Sequence, residues 1–113
     1  MSKAPAYARF LHLTTNLKKD ASDSDFEGCE EILAFMAVKE AEGSDVKITD
    51  LVQSLQFGTG PTVHRKVGTL SSRGLIQIRP SPNDGRAKQL MLSSEGFELL
   101  KERTKLMKQC FSE

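Results

Sequence analysis

Thr59-Gly-Pro-Thr-Val-His-Arg-Lys-Val-Gly-Thr-Leu-Ser-Ser-Arg-Gly74 is the stretch around which the rest of the chain is organised. Val63, Val67 and Leu70 recur at helical spacing, so one side of the segment faces a core. The other side carries Thr62, His64, Arg65, Lys66 and Thr69, all able to donate hydrogen bonds. Thr59 is placed to cap the helix, and Pro61 falls in the first turn, where its missing N–H costs nothing. Gly74 closes the helix, because glycine tolerates the left-handed cap conformation. A short helix that is apolar behind, polar and basic in front, and capped at both ends suits the major groove of double-stranded DNA.

Charge is distributed to match. The 113 residues carry a net charge of only +1. Residues 1–19 hold four basic groups and no acid, whereas residues 20–50 hold ten acids against Lys39 and Lys47. Residues 51–94 hold Arg65, Lys66, Arg73, Arg79, Arg86 and Lys88 against Asp84 alone, a local +5. Basic charge is thus gathered on the proposed reading helix and on the segment C-terminal to it, as a phosphate-binding surface requires.

Outward from that helix, Ile48-Thr-Asp-Leu-Val-Gln-Ser-Leu55 reads as a short helix with Thr49 as its N-cap and Leu51, Val52 and Leu55 inward. The turn Gln56–Gly60 joins the two, so residues 49–74 make a helix-turn-helix. After Gly74 the period drops to two. Leu75–Arg79 and Lys88–Leu92 are predicted strands around the turn formers Pro80-Ser-Pro-Asn-Asp-Gly85, a β-hairpin over 75–92 with Arg79, Arg86 and Lys88 near its tip. Such a hairpin after a helix-turn-helix is a wing.

Three further helices flank this unit. Residues 5–19 form a short amphipathic helix with Tyr7, Phe10, Leu11, Leu13 and Leu17 on a broad apolar side. A second helix over 25–42 is expected to start at a Ser24–Glu27 capping box, with Phe26, Cys29, Ile32, Leu33 and Met36 buried. The last, 94–111, is capped by Ser93 and carries two apolar stripes: Phe97, Leu100, Thr104, Met107, Phe111 and Leu99, Leu106, Cys110. Their combined width exceeds what one small core needs, so one stripe is expected to meet a partner subunit. Tyr7, Phe10, Leu11, Leu99, Leu106 and Cys110 are the candidate dimerisation residues. The fold class is mainly α with a small β-hairpin (α+β), in one domain.

From Ile48 to Gly96 the chain resembles the winged helix-turn-helix of the MarR family of transcriptional regulators. The matching residues are Thr-Val-x-Arg at Thr62–Arg65, Leu-x-x-x-Gly-Leu-Ile at Leu70–Ile76, Arg-Pro-Ser-Pro-x-Asp-x-Arg at Arg79–Arg86, and Leu-Ser-x-x-Gly at Leu92–Gly96. The resemblance implies a homodimeric DNA-binding regulator with interlocked terminal helices, a recognition helix in the major groove and Arg86 in the minor groove. Asp84 would hold Arg86 through a charge-assisted hydrogen bond. The chain departs from the family pattern in its short first helix, in the single helix after the wing, and in having no cysteine in the first helix, where the peroxide-sensing branch keeps one. A small-molecule effector, of unidentified chemistry, is compatible with the resemblance.

Thr59, Pro61, Thr62, His64, Arg65, Lys66, Thr69, Arg79, Asp84, Arg86 and Lys88 are therefore the candidate DNA-binding residues. Arg65 and Lys66 can each serve guanine or phosphate, and the sequence leaves that choice open. The leading expectation is a sequence-specific repressor on a palindromic operator. The alternative is a winged helix used as a protein-interaction module. Nothing points to an enzyme, since no paired carboxylates, Ser/His/Asp arrangement or metal set is present. Cys29 and Cys110 are isolated, His12 and His64 stand far apart, and no cofactor or metal is implied. The acidic run Asp20–Asp25 reads as a solvated loop. With no signal-peptide core and no membrane-length apolar run, the expected compartment is the cytoplasm.

Overall fold

The computed structural model describes residues 4–20, 26–81 and 88–111. Within them, five helices and three strands run in the order α1 (Ala6–Asp20), α2 (Cys29–Ala41), β1 (Val46–Lys47), α3 (Ile48–Gln53), α4 (Gly60–Ser72), β2 (Ile76–Pro80), β3 (Lys88–Leu92) and α5 (Ser94–Phe111).

The core lies between α2, α3, α4 and the sheet. Ile32, Leu33 and Met36 of α2 pack with Leu51 of α3, Val63, Val67 and Leu70 of α4, and Val46, Ile76 and Leu90 of the strands. The apolar period read along the α4 segment is thus the face that α4 buries. Phe57 enters the core from the α3–α4 turn and meets Phe35 edge-to-face, with ring centroids 5.6 Å apart, the geometry that the ring quadrupoles favour.

The sheet has the order β1-β3-β2 and is antiparallel throughout. The expected hairpin is present, with Ile76 opposite Leu92 and Ile78 opposite Leu90. The third strand is not legible in the sequence, because Val46–Lys47 is too short to display alternation. It is found only as an edge partner, pairing Val46 with Leu90 and Lys47 with Gln89. Ile76 and Leu90 are buried but Ile78 is exposed, so the hairpin leaves the core as it rises.

Two helix starts differ from expectation. The second helix begins at Cys29 rather than at 25, because Gly28 adopts the left-handed conformation at φ 80° and breaks helical continuity. Ser24, the expected cap, lies outside the described residues. The α3 cap is Lys47 rather than Thr49: Asp50 reaches back to accept the Lys47 backbone N–H at 2.8 Å. A backbone donor thus found a carboxylate three residues on, which moved the helix start two residues upstream.

The joint between α4, the wing and α5 explains two of the sequence motifs. The Gly74 N–H donates to the Ser71 carbonyl and the Leu75 N–H to the Leu70 carbonyl, both at 3.0 Å, with Gly74 at φ 73°. This pair of bonds is the Schellman closure of a helix. Ser93 then donates its hydroxyl to the Gly74 carbonyl at 2.6 Å and accepts the Gly96 N–H at 3.0 Å. Gly96 lies so close to the Leu75 carbonyl that a Cβ would collide with backbone oxygen. The Leu-Ser-x-x-Gly run is therefore a joint in which a cap and a bare Cα hold α5 against the base of the wing.

Candidate nucleic-acid interface

α4 is held at both ends and from behind, which leaves its front to chemistry. Thr59 is the N-cap, accepting the Thr62 N–H at 3.4 Å, and Pro61 sits in the first turn. Pro61, His64, Arg65, Gly68 and Ser72 are exposed along the outward side, and Thr62 and Thr69 are half-buried beside it. No acidic residue occurs anywhere in α4. Gly68 and Ser72 carry no charge to mark them in the sequence. Their helical spacing from Arg65 places them on its face, and the absent Gly68 side chain leaves room there for close approach.

The hydroxyls are partly engaged already. Thr69 donates to the Arg65 carbonyl at 3.1 Å and Ser72 to the Thr69 carbonyl at 2.9 Å. Each hydroxyl oxygen retains acceptor lone pairs, so each can still accept a hydrogen bond. Thr59 donates to the Thr62 hydroxyl at 3.1 Å, which ties Thr62 to the start of the helix.

Lys66 is placed apart from the other candidates. The sequence placed it with the reading residues, but its amino group donates to the Phe57 carbonyl at 3.1 Å and its stem lies against Gly28. Lys66 stands one turn from Val63 and Leu70 and one residue before Val67. It therefore flanks the buried face, and its long apolar stem can run inward while the ammonium reaches a carbonyl in the α3–α4 turn. Lys66 holds the turn in place and does not face outward. Arg65, one residue earlier and about 100° around the helix, is exposed.

A cleft opens between α3, α4 and the start of β3, towards the tip of the wing. His64, Lys47 and Lys88 stand at its rim, and Ile48 and Val52 line its wall. Lys47 escaped the sequence reading because it lies in an acidic stretch; only its pairing beside β3 brings it next to Lys88's strand. On the wing itself, Arg79 is exposed and donates to the Gln77 side chain at 2.8 Å, both projecting from one face of β2. Asp84 and Arg86 lie outside the described residues. The structure thus brings Thr59, Pro61, Thr62, His64, Arg65 and Thr69 together on one helix, with Lys88 beside His64, and sets Lys66 apart.

Cys29 is fully buried with its thiol 3.8 Å from the Lys66 carbonyl. Burial raises its pKa, against the lowering influence of Lys66, Arg73 and Arg65. A buried, protonated thiol is inert, so Cys29 acts as a small packing residue. Among the described residues no group of His, Cys, Asp and Glu is arranged to hold a metal ion. No helix among them is long and apolar enough to cross a membrane.

The candidate dimerisation residues of the terminal helices are placed unevenly. Leu99 packs against the core, Leu106 is half-buried and Cys110 is only 6% exposed, so this stripe of α5 belongs to its own chain. The outward stripe is the other one, with Phe97 53%, Met107 37% and Phe111 61% exposed. The two stripes are adjacent on α5, and Leu100 of the outer one also packs against the core, so periodicity alone cannot tell where its own core ends. On α1, Tyr7 is 69% exposed and Leu11 is exposed, while Phe10 is half-buried.

The MarR family model matches residues 30–87, just over half of the chain. The structure is similar to that of MepR from S. aureus in a complex with DNA, with a TM-score of 0.69 and 19% identity over 92% of this chain and 86% of that one. It is similar also to S. aureus MepR bound to ethidium bromide, with a TM-score of 0.62 and 21% identity over 91% of this chain and 76% of that one. A mutant MarR from E. coli aligns with a TM-score of 0.61 and 17% identity over 96% of this chain and 80% of that one. At these identities the likeness is one of fold. No curated protein matches the chain in sequence.

Proposed function

The chain belongs to the MarR family of non-enzymatic, DNA-binding transcription regulators, and from that premise we propose that it is a homodimeric, sequence-specific repressor of a palindromic operator. The observation that carries this reading is the outward side of α4. It presents Pro61, His64, Arg65, Gly68, Thr69 and Ser72 with no acid among them, on a helix capped at both ends and backed by core. The S. aureus MepR–DNA complex supports it by fold.

In the proposed complex α4 lies in the major groove. Arg65 reaches guanine or phosphate, and the threonine and serine hydroxyls serve neighbouring base edges. Lys47 and Lys88, at the rim of the cleft beside α4, meet phosphates and set the register. The wing approaches the minor groove, where Arg86, held by Asp84, enters its negative potential. Two copies joined through the terminal helices place their reading helices on half-sites about one turn of DNA apart, ~34 Å. Bound over a promoter, such a dimer represses by occupancy.

The alternative, a winged helix that binds protein instead of DNA, draws support from Val38 and Leu55, which are exposed apolar residues of the body outside α4. One experiment separates the two: selection from random duplex DNA at two salt concentrations, with sequencing of the bound pool. The regulator enriches a palindrome with half-sites one turn apart. Weak binding without sequence preference, lost at modest salt, leaves only the phosphate contribution and favours the protein-binding module. Within the same assay, Arg65→Ala costs about 1–3 kcal/mol and relaxes preference at one operator position if Arg65 reads a base. A uniform loss with a shallower salt slope assigns it to phosphate.

A further inference from the structure

α5 spans 18 residues, about 27 Å at the helical rise. Its first turn is fixed at the base of the wing by Ser93 and Gly96, through the bonds to Gly74 and the contact with the Leu75 carbonyl. A joint at one end fixes a point but leaves the direction of the helix to be set further along.

That second hold is an ion pair. The Arg103 Nε–H donates to Glu30 Oε1 at 2.8 Å, joining the middle of α5 to the first turn of α2. Glu30 follows Cys29, whose thiol contacts the Lys66 carbonyl on α4, and Lys66 in turn holds the α3–α4 turn through Phe57. The pair therefore joins α5 to α2 one residue from the point where Cys29 of α2 meets α4. The two side chains are 34% and 38% exposed, and ion pairs of that exposure contribute little to stability. The planar guanidinium nevertheless imposes direction on its carboxylate partner.

We propose that Arg103 and Glu30 are positioning residues that set the angle of α5 on the DNA-reading body, and with it the separation of the two reading helices in the dimer. The proposal rests on the homodimer reading above. Arg103 lies about 13 Å along α5 from Ser94 at 1.5 Å per residue. A shift of ~1 Å at that distance turns the helix by ~4°, and over an arm of ~30 Å this moves a reading helix by ~2 Å, a large part of the ~3.4 Å rise between base pairs. A contact of small energy thus acts on operator geometry.

The test puts one spin label on each chain through Ser72→Cys, on the exposed side of α4, so that a dimer yields one distance between reading helices. Chains without Ser72→Cys control for labelling at the buried cysteines. The unaltered pair should give a narrow distribution. Arg103→Glu and Glu30→Arg should each broaden or displace it, and the double exchange should restore it. Should Glu30→Arg not fold, Glu30→Gln removes the charge and keeps the shape. On DNA, preference for the selected operator over versions with one base pair added to or removed from the spacer should fall about tenfold in each single variant. Affinity for an isolated half-site should stay unchanged, and the double exchange should restore the preference. Single variants that keep both the distance and the spacer preference overturn the proposal while the dimer stands, as does a double exchange that restores neither. Absence of any inter-label distance in the unaltered background removes the dimer reading, and the proposal falls with it.

Discussion

The body formed by α2, α3, α4 and the sheet gathers a continuous core and leaves Val38, Leu55 and Ile78 exposed, whereas the terminal helices carry most of the other uncovered large apolar side chains. Within the body, Ile32, Leu33, Met36, Leu51, Val63 and Leu70 are completely buried. On α1 and α5, Tyr7, Leu11, Phe97, Met107 and Phe111 face outward. The molecule is correspondingly elongated, 60 × 29 × 24 Å, with a radius of gyration of 15.9 Å, against roughly 13 Å for a compact domain of this length. One part of the chain is finished by folding. The other leaves apolar surface exposed, which in the proposed homodimer a second copy would cover.

Four substitutions sharpen that contrast, the first three in descending order of effect on the folded chain. Leu70→Ala empties the centre of the body where α4 meets α2 and the strands, and should cost about 2–5 kcal/mol in denaturant unfolding. A cost below about 1 kcal/mol would mean the body is loosely packed there. Gly96→Ala drives a methyl into the Leu75 carbonyl and must move α5 relative to the wing, for a loss of about 1–3 kcal/mol. If its melting temperature equals that of the parent, the joint is more pliable than the geometry indicates. Phe111→Glu, on the outward stripe, should leave the stability of the isolated chain within about 0.5 kcal/mol yet drive a dimer towards monomer in sedimentation. Cys110→Ser, one residue away but turned inward, should do the reverse, weakening the fold without a direct effect on assembly. Were the two to behave alike, the division of α5 into an inner and an outer face would be wrong.

The same contrast explains where the sequence was readable. Repetition carried the body: Val63, Val67 and Leu70 announced a buried helix face because one α-helix needs nothing else to define its sides. The caps were equally local, as Thr59, Gly74 and Ser93 satisfy backbone groups within a few residues of themselves. A residue's placement was not legible wherever it depended on something distant. Lys66 resembled Arg65 in composition, yet one reaches a carbonyl nine residues back and the other projects outward. Val46–Lys47 became a strand only through β3, some forty residues later.

The sequence by itself determined the helix-turn-helix, the hairpin after it, the caps that delimit α4, and which side of α4 is buried, because each of these arises from periodicity and short-range hydrogen bonding. Tertiary structure alone decided which stripe of α5 faces its own chain, that Lys66 braces a turn, that Lys47 joins Lys88 and His64 at one cleft, and that Arg103 meets Glu30. These depend on how separate elements are brought together, and a linear pattern specifies the sides of an element but not the neighbour that each side will meet.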